Sequence, residues 1–216
     1  MLGEFFIVKS RIKNLINSEF KSNNDKILDL GCGDIPYYHE DIQGKIICLD
    51  IKKTSKIHLI SDAGKLPFKP NSFDEVISVN SFYYFNNPFD VIKSIHNILK
   101  KGGKLILIVP FLYPVHDAPD DRYRFTEYGL RTLLEDSFRI ERIETIGGIF
   151  NHPAVILHSL IKGIPLLFSR KTRKFVQILV RVLWPFYIIA QLFSILDAVD
   201  ITRRFPTYYF VVAGKK

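Results

Sequence analysis

Ile27-Leu28-Asp29-Leu30-Gly31-Cys32-Gly33-Asp34 decides how the rest of the chain is read. A short apolar run ends in two glycines separated by one residue. The next apolar run, Ile46-Ile47-Cys48-Leu49, ends in Asp50. An α/β fold holds a nucleoside in this way. A strand delivers the chain to a glycine turn that lets backbone approach the ligand, and a carboxylate on the neighbouring strand tip accepts from a ribose diol. The dinucleotide pattern Gly-x-Gly-x-x-Gly requires a third glycine at position 36, where this chain has Pro36. That glycine lets helix and strand close under a pyrophosphate. Its absence disfavours NAD and FAD and leaves room for an adenosyl ligand without phosphates.

Outward from this turn, the pattern alternates. Apolar residues at helical spacing mark Phe5–Phe20. Short strands are predicted over Lys26–Leu30, Ile46–Asp50, Ile57–Ser61 and Glu75–Val79, with only a brief helix between Pro36 and Gln43. Asn87-Pro88 opens a helix to about Leu99, which the Lys100–Gly103 turn ends. Leu105–Val109 is a continuous aliphatic run, as in a strand covered on both faces. Thr126–Leu134 is a helix with Thr126 as its cap. Ile140–Ile146 and Tyr208–Val212 are the last strands. The fold class is therefore α/β, a doubly wound and mostly parallel sheet. The 216 residues, 47% hydrophobic, suit one domain with a sizeable core. Cys32 and Cys48 lack metal-ligand spacing and form no disulfide framework, so no metal is expected and the expected compartment is reducing and cytoplasmic. The N-terminus shows no signal-peptide pattern.

The Asp29–Asp34 segment resembles the first motif of class I S-adenosylmethionine-dependent methyltransferases. The resemblance continues in order. Leu49-Asp50-Ile51 is similar to the family's ribose-binding motif. Ser61-Asp62-Ala63-Gly64-Lys65-Leu66-Pro67-Phe68 is similar to its adenine-lining segment. Asn71–Ser78 resembles the strand that follows, and Leu99–Leu105 the "L-K-P-G-G-x-L" turn, with Lys101 in place of proline. The resemblance implies a seven-stranded Rossmann-like sheet with its last strand antiparallel, and S-adenosylmethionine as cofactor. It also implies cofactor contacts from Asp29, Gly31, Cys32, Gly33, Asp50, Ile51, Asp62, Ala63 and Asn80. Ile51 reads equally as a cover for the adenine ring or as ordinary core. A dinucleotide oxidoreductase and a non-catalytic adenosyl-binding scaffold are the competing classes.

Pro110–Thr126 gathers His, Asp, Arg and Tyr after the Leu105–Val109 strand, at the sheet edge where open α/β folds bind ligands. His116 is the expected general base, and Asp117 orients it or serves as base itself. Tyr113, Arg122 and Arg124 are expected to bind substrate, the arginines through a phosphate or carboxylate. The spacing His116-x-x-Pro119-x-Asp121-x-x-Arg124-Phe125-Thr126 resembles a subset of these methyltransferases, many of them encoded beside polysaccharide and cell-envelope enzymes. A small-molecule, glycan or lipid-linked acceptor with an oxygen nucleophile is expected, with a quinone or lipid acceptor as the alternative.

Residues 151–205 are a helical insertion before the last strand. Residues 151–216 carry 10 Lys/Arg against 2 Asp, whereas residues 1–150 are balanced at 20 and 20, so the net charge of +8 comes from the C-terminal part. Apolar stretches flank Arg170-Lys171-Thr172-Arg173-Lys174. The longest charge-free run, Val182–Leu196, contains Pro185 and Gln191 and has 15 residues, against the roughly 20 that a span needs. Peripheral contact with the inner face of a membrane through 154–199 is expected. A lid or a homodimer patch is the alternative, and nucleic acid is disfavoured because the aromatics sit among aliphatics.

Overall fold

The computed structural model describes residues 6–20, 22–34, 37–53, 57–115 and 117–216. In chain order the helices and strands that build the sheet region are α1 (Phe6–Glu19), β1 (Lys26–Leu30), β2 (Lys45–Asp50), β3 (Leu59–Ile60), β4 (Phe73–Val79), α2 (Pro88–Ile98), β5 (Leu99–Pro110), α3 (Glu127–Leu134), β6 (Phe138–Ile146) and β7 (Tyr208–Lys215); the main compact unit takes them from Ile12 of α1, without the last two residues of β6. The seven strands form one sheet in the order β3-β2-β1-β4-β5-β7-β6. The neighbours from β3 to β5 are parallel, and β7 runs antiparallel to β5. Chain order reverses between β1 and β4, so the crevice at their C-terminal ends is the switch point where ligands bind in such sheets.

Local chemistry sets the helix starts. Asn87 Oδ1 accepts from the Phe89 and Asp90 amides ahead of α2, with Pro88 in the first turn. Thr126 Oγ1 accepts from the Gly129 amide ahead of α3. Val91, Ile92, Ile95 and Ile98 of α2 are buried on one face, and Leu105–Val109 of β5 is fully buried.

β4 and β6 each begin two residues before the sequence reading, and three larger differences follow. The strand expected over Ile57–Ser61 shrinks to Leu59–Ile60, at the edge of the sheet. Lys100–Gly103 is a bulge within β5 rather than a turn after the helix. Phe73 pairs with Leu99 and Glu75 with Lys104, and Gly102 takes φ +77° to absorb the extra residues. β7 continues through Ala213-Gly214-Lys215 because these residues pair with β5, which overrides their poor strand propensity.

Glu75 on β4 is an outlier in this core. It is buried, Oε2 has no partner among the described residues, and desolvation, with the negative charge of Asp25 adding to it, raises its pKa from 4.5 to about 7. The folded state thus holds this proton more tightly than the unfolded chain. The resulting stabilisation is complete below 4.5 and is lost as pH rises through about 7. Glu75→Gln is therefore expected to gain stability relative to wild type between acidic and mildly alkaline pH, by on the order of 3 kcal/mol. Urea unfolding of both proteins across that window checks it, and parallel pH profiles would contradict it.

A second compact unit is built chiefly from Thr145–Thr207. It contains α4 (His152–Gly163), α5 (Arg170–Leu179) and α6 (Trp184–Phe193), joined by 3-10 segments at Ile164–Leu167, Val180–Leu183 and Ser194–Val199. Ala154 and Ile161 of α4 and Tyr187 of α6 are its core, with Val180, Leu183 and Trp184 packed around them. Asn151 Nδ2 donates to Thr207 Oγ1, and the Phe150 amide donates to Asp197. The helical run Arg170–Val199 is long and apolar enough by length and composition to cross a membrane, longer than the charge-free stretch alone.

Candidate active site

The C-terminal ends of β1, β2 and β4 surround a cavity of about 430 Å³ lined by Leu30, Gly31, Cys32, Gly33, Asp50, Ile51, Asp62, Ala63 and Asn80. Eight of the nine residues expected to contact a cofactor therefore converge on one space. Gly31 leaves β1 at φ +77°, and its amide donates to Leu49 O at 2.8 Å. Gly33, at φ +64°, donates to Asp50 Oδ2 at 3.0 Å, and Asp50 Oδ1 accepts from the Lys52 amide at 3.0 Å. The carboxylate that ends β2 thus organises the glycine turn. Asp62 Oδ1 caps the 3-10 turn Ala63–Lys65 through the Gly64 amide. Ile51 is 68% exposed, which excludes the core reading and leaves an apolar surface on the cavity wall.

Asp29 is the exception. It is fully buried beneath the turn, outside the cavity lining, where it accepts from Tyr38 Oη at 2.9 Å and bonds His39 Nε2 at 2.5 Å. Burial pushes its carboxyl above the usual range, and His39 and Tyr38 oppose that rise. The same layer holds Cys48 beside Asp29 and His39. The Cys32 thiol donates to Gly33 O, and its interaction with Cys48 pushes the Cys32 pKa up and draws that of Cys48 down.

Ser78 and Ser81 brace the turn from β4. Ser78 Oγ and Ser81 Oγ both donate to Leu30 O, at 3.0 and 2.9 Å. Asn80 lines the cavity, and its Oδ1 is buried without a partner among the described residues. A buried acceptor without a donor costs about 1–3 kcal/mol. The cavity also takes Ser61, from the segment similar to the family's adenine-lining one, and Lys52, Tyr84, Phe85 and Asn86, for which position after a strand end was the only signal in the sequence.

The Pro110–Thr126 segment divides. Asp117, Asp120 and Arg122 line the cavity. Tyr84 Oη donates to Asp117 Oδ2 at 2.7 Å, and Asp117 itself takes φ +53°. Arg122 Nη1 donates to Tyr84 O and Asp120 O, while Nη2 donates to Asp120 Oδ1. Arg124 lies outside the lining: its guanidinium pairs with both oxygens of Asp121 and sits 5.4 Å from the Tyr83 ring centre. Tyr113 belongs to the second unit, and His116 lies outside the described residues.

Residues 28–107 match the family model described as a methyltransferase domain. The chain is 35% identical over 127 residues to the ubiquinone/menaquinone biosynthesis C-methyltransferase UbiE of Wigglesworthia glossinidia brevipalpis, covering 49% of this chain and 50% of that protein. It spans half or less of the length of the curated relatives it matches. Among solved structures, the cyclase SpnF superposes with a TM-score of 0.63 at 17% identity, over 95% of this chain and 80% of that one. Phosphoethanolamine N-methyltransferase 2 of Haemonchus contortus, in complex with S-adenosyl-L-methionine, superposes at 0.60 and 15%, over 95% and 52%. The five ordered motifs, the sheet order and the lined cavity agree with these likenesses: residues 28–107 are a methyltransferase domain on the class I Rossmann-like fold, a domain whose cofactor is S-adenosylmethionine.

Proposed function

We propose that this chain transfers a methyl group from S-adenosylmethionine to an oxygen nucleophile on a small-molecule, glycan or lipid-linked acceptor. The observation that carries this reading is that Asp117, Asp120 and Arg122 wall the same cavity as the cofactor residues. Bound there, the cofactor supplies a methyl group already activated by its sulfonium. The residues of the chain then have three tasks. Gly31–Gly33 and Asp50 fix the nucleoside end, Asn80 at the end of β4 meets the methionine end, and Ile51 covers the ring. The second task is alignment, which replaces an encounter in solution with a fixed approach. Arg122, already held by Asp120, presents cationic donors suited to a phosphate or carboxylate on the acceptor.

The third task is to take the hydroxyl proton. His116 is the proposed base, with Asp117 as its orienting partner, itself held by Tyr84. His116→Ala is expected to lower methyl transfer on the order of a hundredfold or more while cofactor affinity holds. Radiolabelled methyl incorporation into lipid and glycan extracts, with calorimetry of S-adenosylmethionine, separates the two effects. Wild-type turnover in the variant would refute the base assignment.

One comparison keeps a second reading in view. SpnF shares this fold and is described as a cyclase, so the fold does not dictate the reaction. Cofactor binding without methyl release to any acceptor pool would favour the adenosyl-binding scaffold.

A further inference from the structure

The second unit has an apolar face that nothing in it covers. Along the run from α5 to α6, Phe175, Ile178, Val182, Phe186, Ile189 and Phe193 follow one another at intervals of three and four residues, the spacing of one helix face. Each is 51–69% exposed. The opposite face of α6 is occupied: Tyr187 and Gln191 are buried, with Tyr187 against Ala154 and Ile161 of α4. The stripe is therefore a second apolar face, additional to the one that builds the core. Monomeric surfaces rarely expose apolar patches beyond a few hundred square ångströms, and larger ones mark interaction sites.

The charges beside it identify the partner. Arg170, Lys174 and Arg181 recur at intervals of four and seven residues on a neighbouring line of the helical run. The described part of this unit between Thr145 and Thr207 holds 8 Lys/Arg against 2 Asp. A protein partner with an apolar face asks for no such excess, whereas an anionic bilayer rewards each cation near its surface. The run is also fastened through its second half. From Val180 onward it packs on α4, and Asp197 at its C-terminal end accepts from the Phe150 amide. Pro185 and two 3-10 segments interrupt it. A segment held in this way offers one face to lipid, not its whole circumference.

We propose that the α5–α6 run is an in-plane docking surface for an anionic membrane, with the Phe175–Phe193 stripe entering the headgroup boundary and Arg170, Lys174 and Arg181 meeting anionic lipid. This goes beyond methyl transfer and does not depend on it.

Vesicle flotation of the full chain tests the proposal, with phosphatidylcholine vesicles against vesicles that also contain phosphatidylglycerol. The expected result is capture by the anionic vesicles alone and release by high salt or alkaline carbonate. Arg170→Gln, Lys174→Gln and Arg181→Gln together are expected to weaken capture roughly a hundredfold, from about 1 kcal/mol per charge. Phe175→Ser with Phe186→Ser is expected to abolish it. These exposed changes should leave the circular dichroism spectrum and S-adenosylmethionine binding intact, and a variant that fails this control is replaced by Ile178→Ser with Ile189→Ser. Three results overturn the proposal: recovery wholly in the soluble fraction, retention through carbonate as for a spanning segment, or a Phe175/Phe186 variant that alters only a monomer–dimer equilibrium.

Discussion

Gly31→Ala is expected to weaken S-adenosylmethionine binding by on the order of a thousandfold or more and to destabilise the main unit. A Cβ on Gly31 would lie 2.4 Å from Ser81 Cβ and 2.6 Å from Ser81 Oγ, inside any real contact distance. Ser81 has nowhere to go, because its hydroxyl holds Leu30 O and meets Ser78 Oγ at 2.5 Å in a fully buried layer. On its other side the turn is held by the Gly31 amide on Leu49 O. The φ of +77° adds about 1 kcal/mol for any residue with a Cβ. Relief requires the turn to leave β4, which moves Gly33 and Asp50 together, since these two are bonded to each other. Gly33→Ala is the control. Its Cβ would meet nothing within 4 Å, so that variant should melt within a few degrees of wild type and lose affinity only through contact with the ligand. Calorimetry and thermal melts of both variants distinguish the two glycines. Equal melting temperatures for Gly31→Ala and wild type would show that the brace from Ser81 yields.

The contrast between those glycines also marks what the sequence carries. The turn, Asp50 and Asp62 were legible because their geometry is local: a strand end, two residues with positive φ, and a carboxylate on the adjacent strand in register. Asp29 was placed among the cofactor contacts because it belongs to the same motif, yet it is buried under the turn. Its partners Tyr38 and His39 come from the short 3-10 turn His39–Asp41 and its cap, too brief for periodicity to show which side chains turn inward. Arg124 looked available because its charge is visible and its pairing is not. The i,i+3 relation to Asp121 becomes a bond only in the observed loop conformation. The boundary errors have a similar origin. Lys100–Gly103 has the composition of a turn, and only pairing with β4 and β7 makes it a bulge in a strand. In the second unit, two apolar stretches were visible, but their periodicity could not show which face packs on α4 and which remains open.

Asp50→Ala is expected to weaken S-adenosylmethionine binding roughly a thousandfold, with little effect on a ligand that lacks the ribose hydroxyls. Each Asp50 oxygen already accepts one backbone amide, from Gly33 and from Lys52. A carboxylate has about four acceptor positions, so one remains on each oxygen, and Asp50 is part of the cavity wall. That pair matches the two hydroxyls of a ribose diol. Hydrogen bonds to a charged acceptor contribute about 1.5–3 kcal/mol each, and losing two of them corresponds to roughly a hundredfold to ten-thousandfold in affinity. Asp50→Asn discriminates between binding the diol and merely holding the turn. The amide keeps one acceptor oxygen, so it can satisfy Gly33 or Lys52 but not both, and its nitrogen turns a donor towards either an amide or a hydroxyl. It should therefore lose nearly as much affinity as alanine while retaining its shape. Calorimetry with S-adenosylhomocysteine and its 2′-deoxy analogue completes the argument. If Asp50 holds the diol, removing the 2′-hydroxyl should cost wild type at least tenfold and the alanine variant almost nothing. If Asp50 only braces Gly33, both proteins should lose the same factor, and the proposed ribose contact falls.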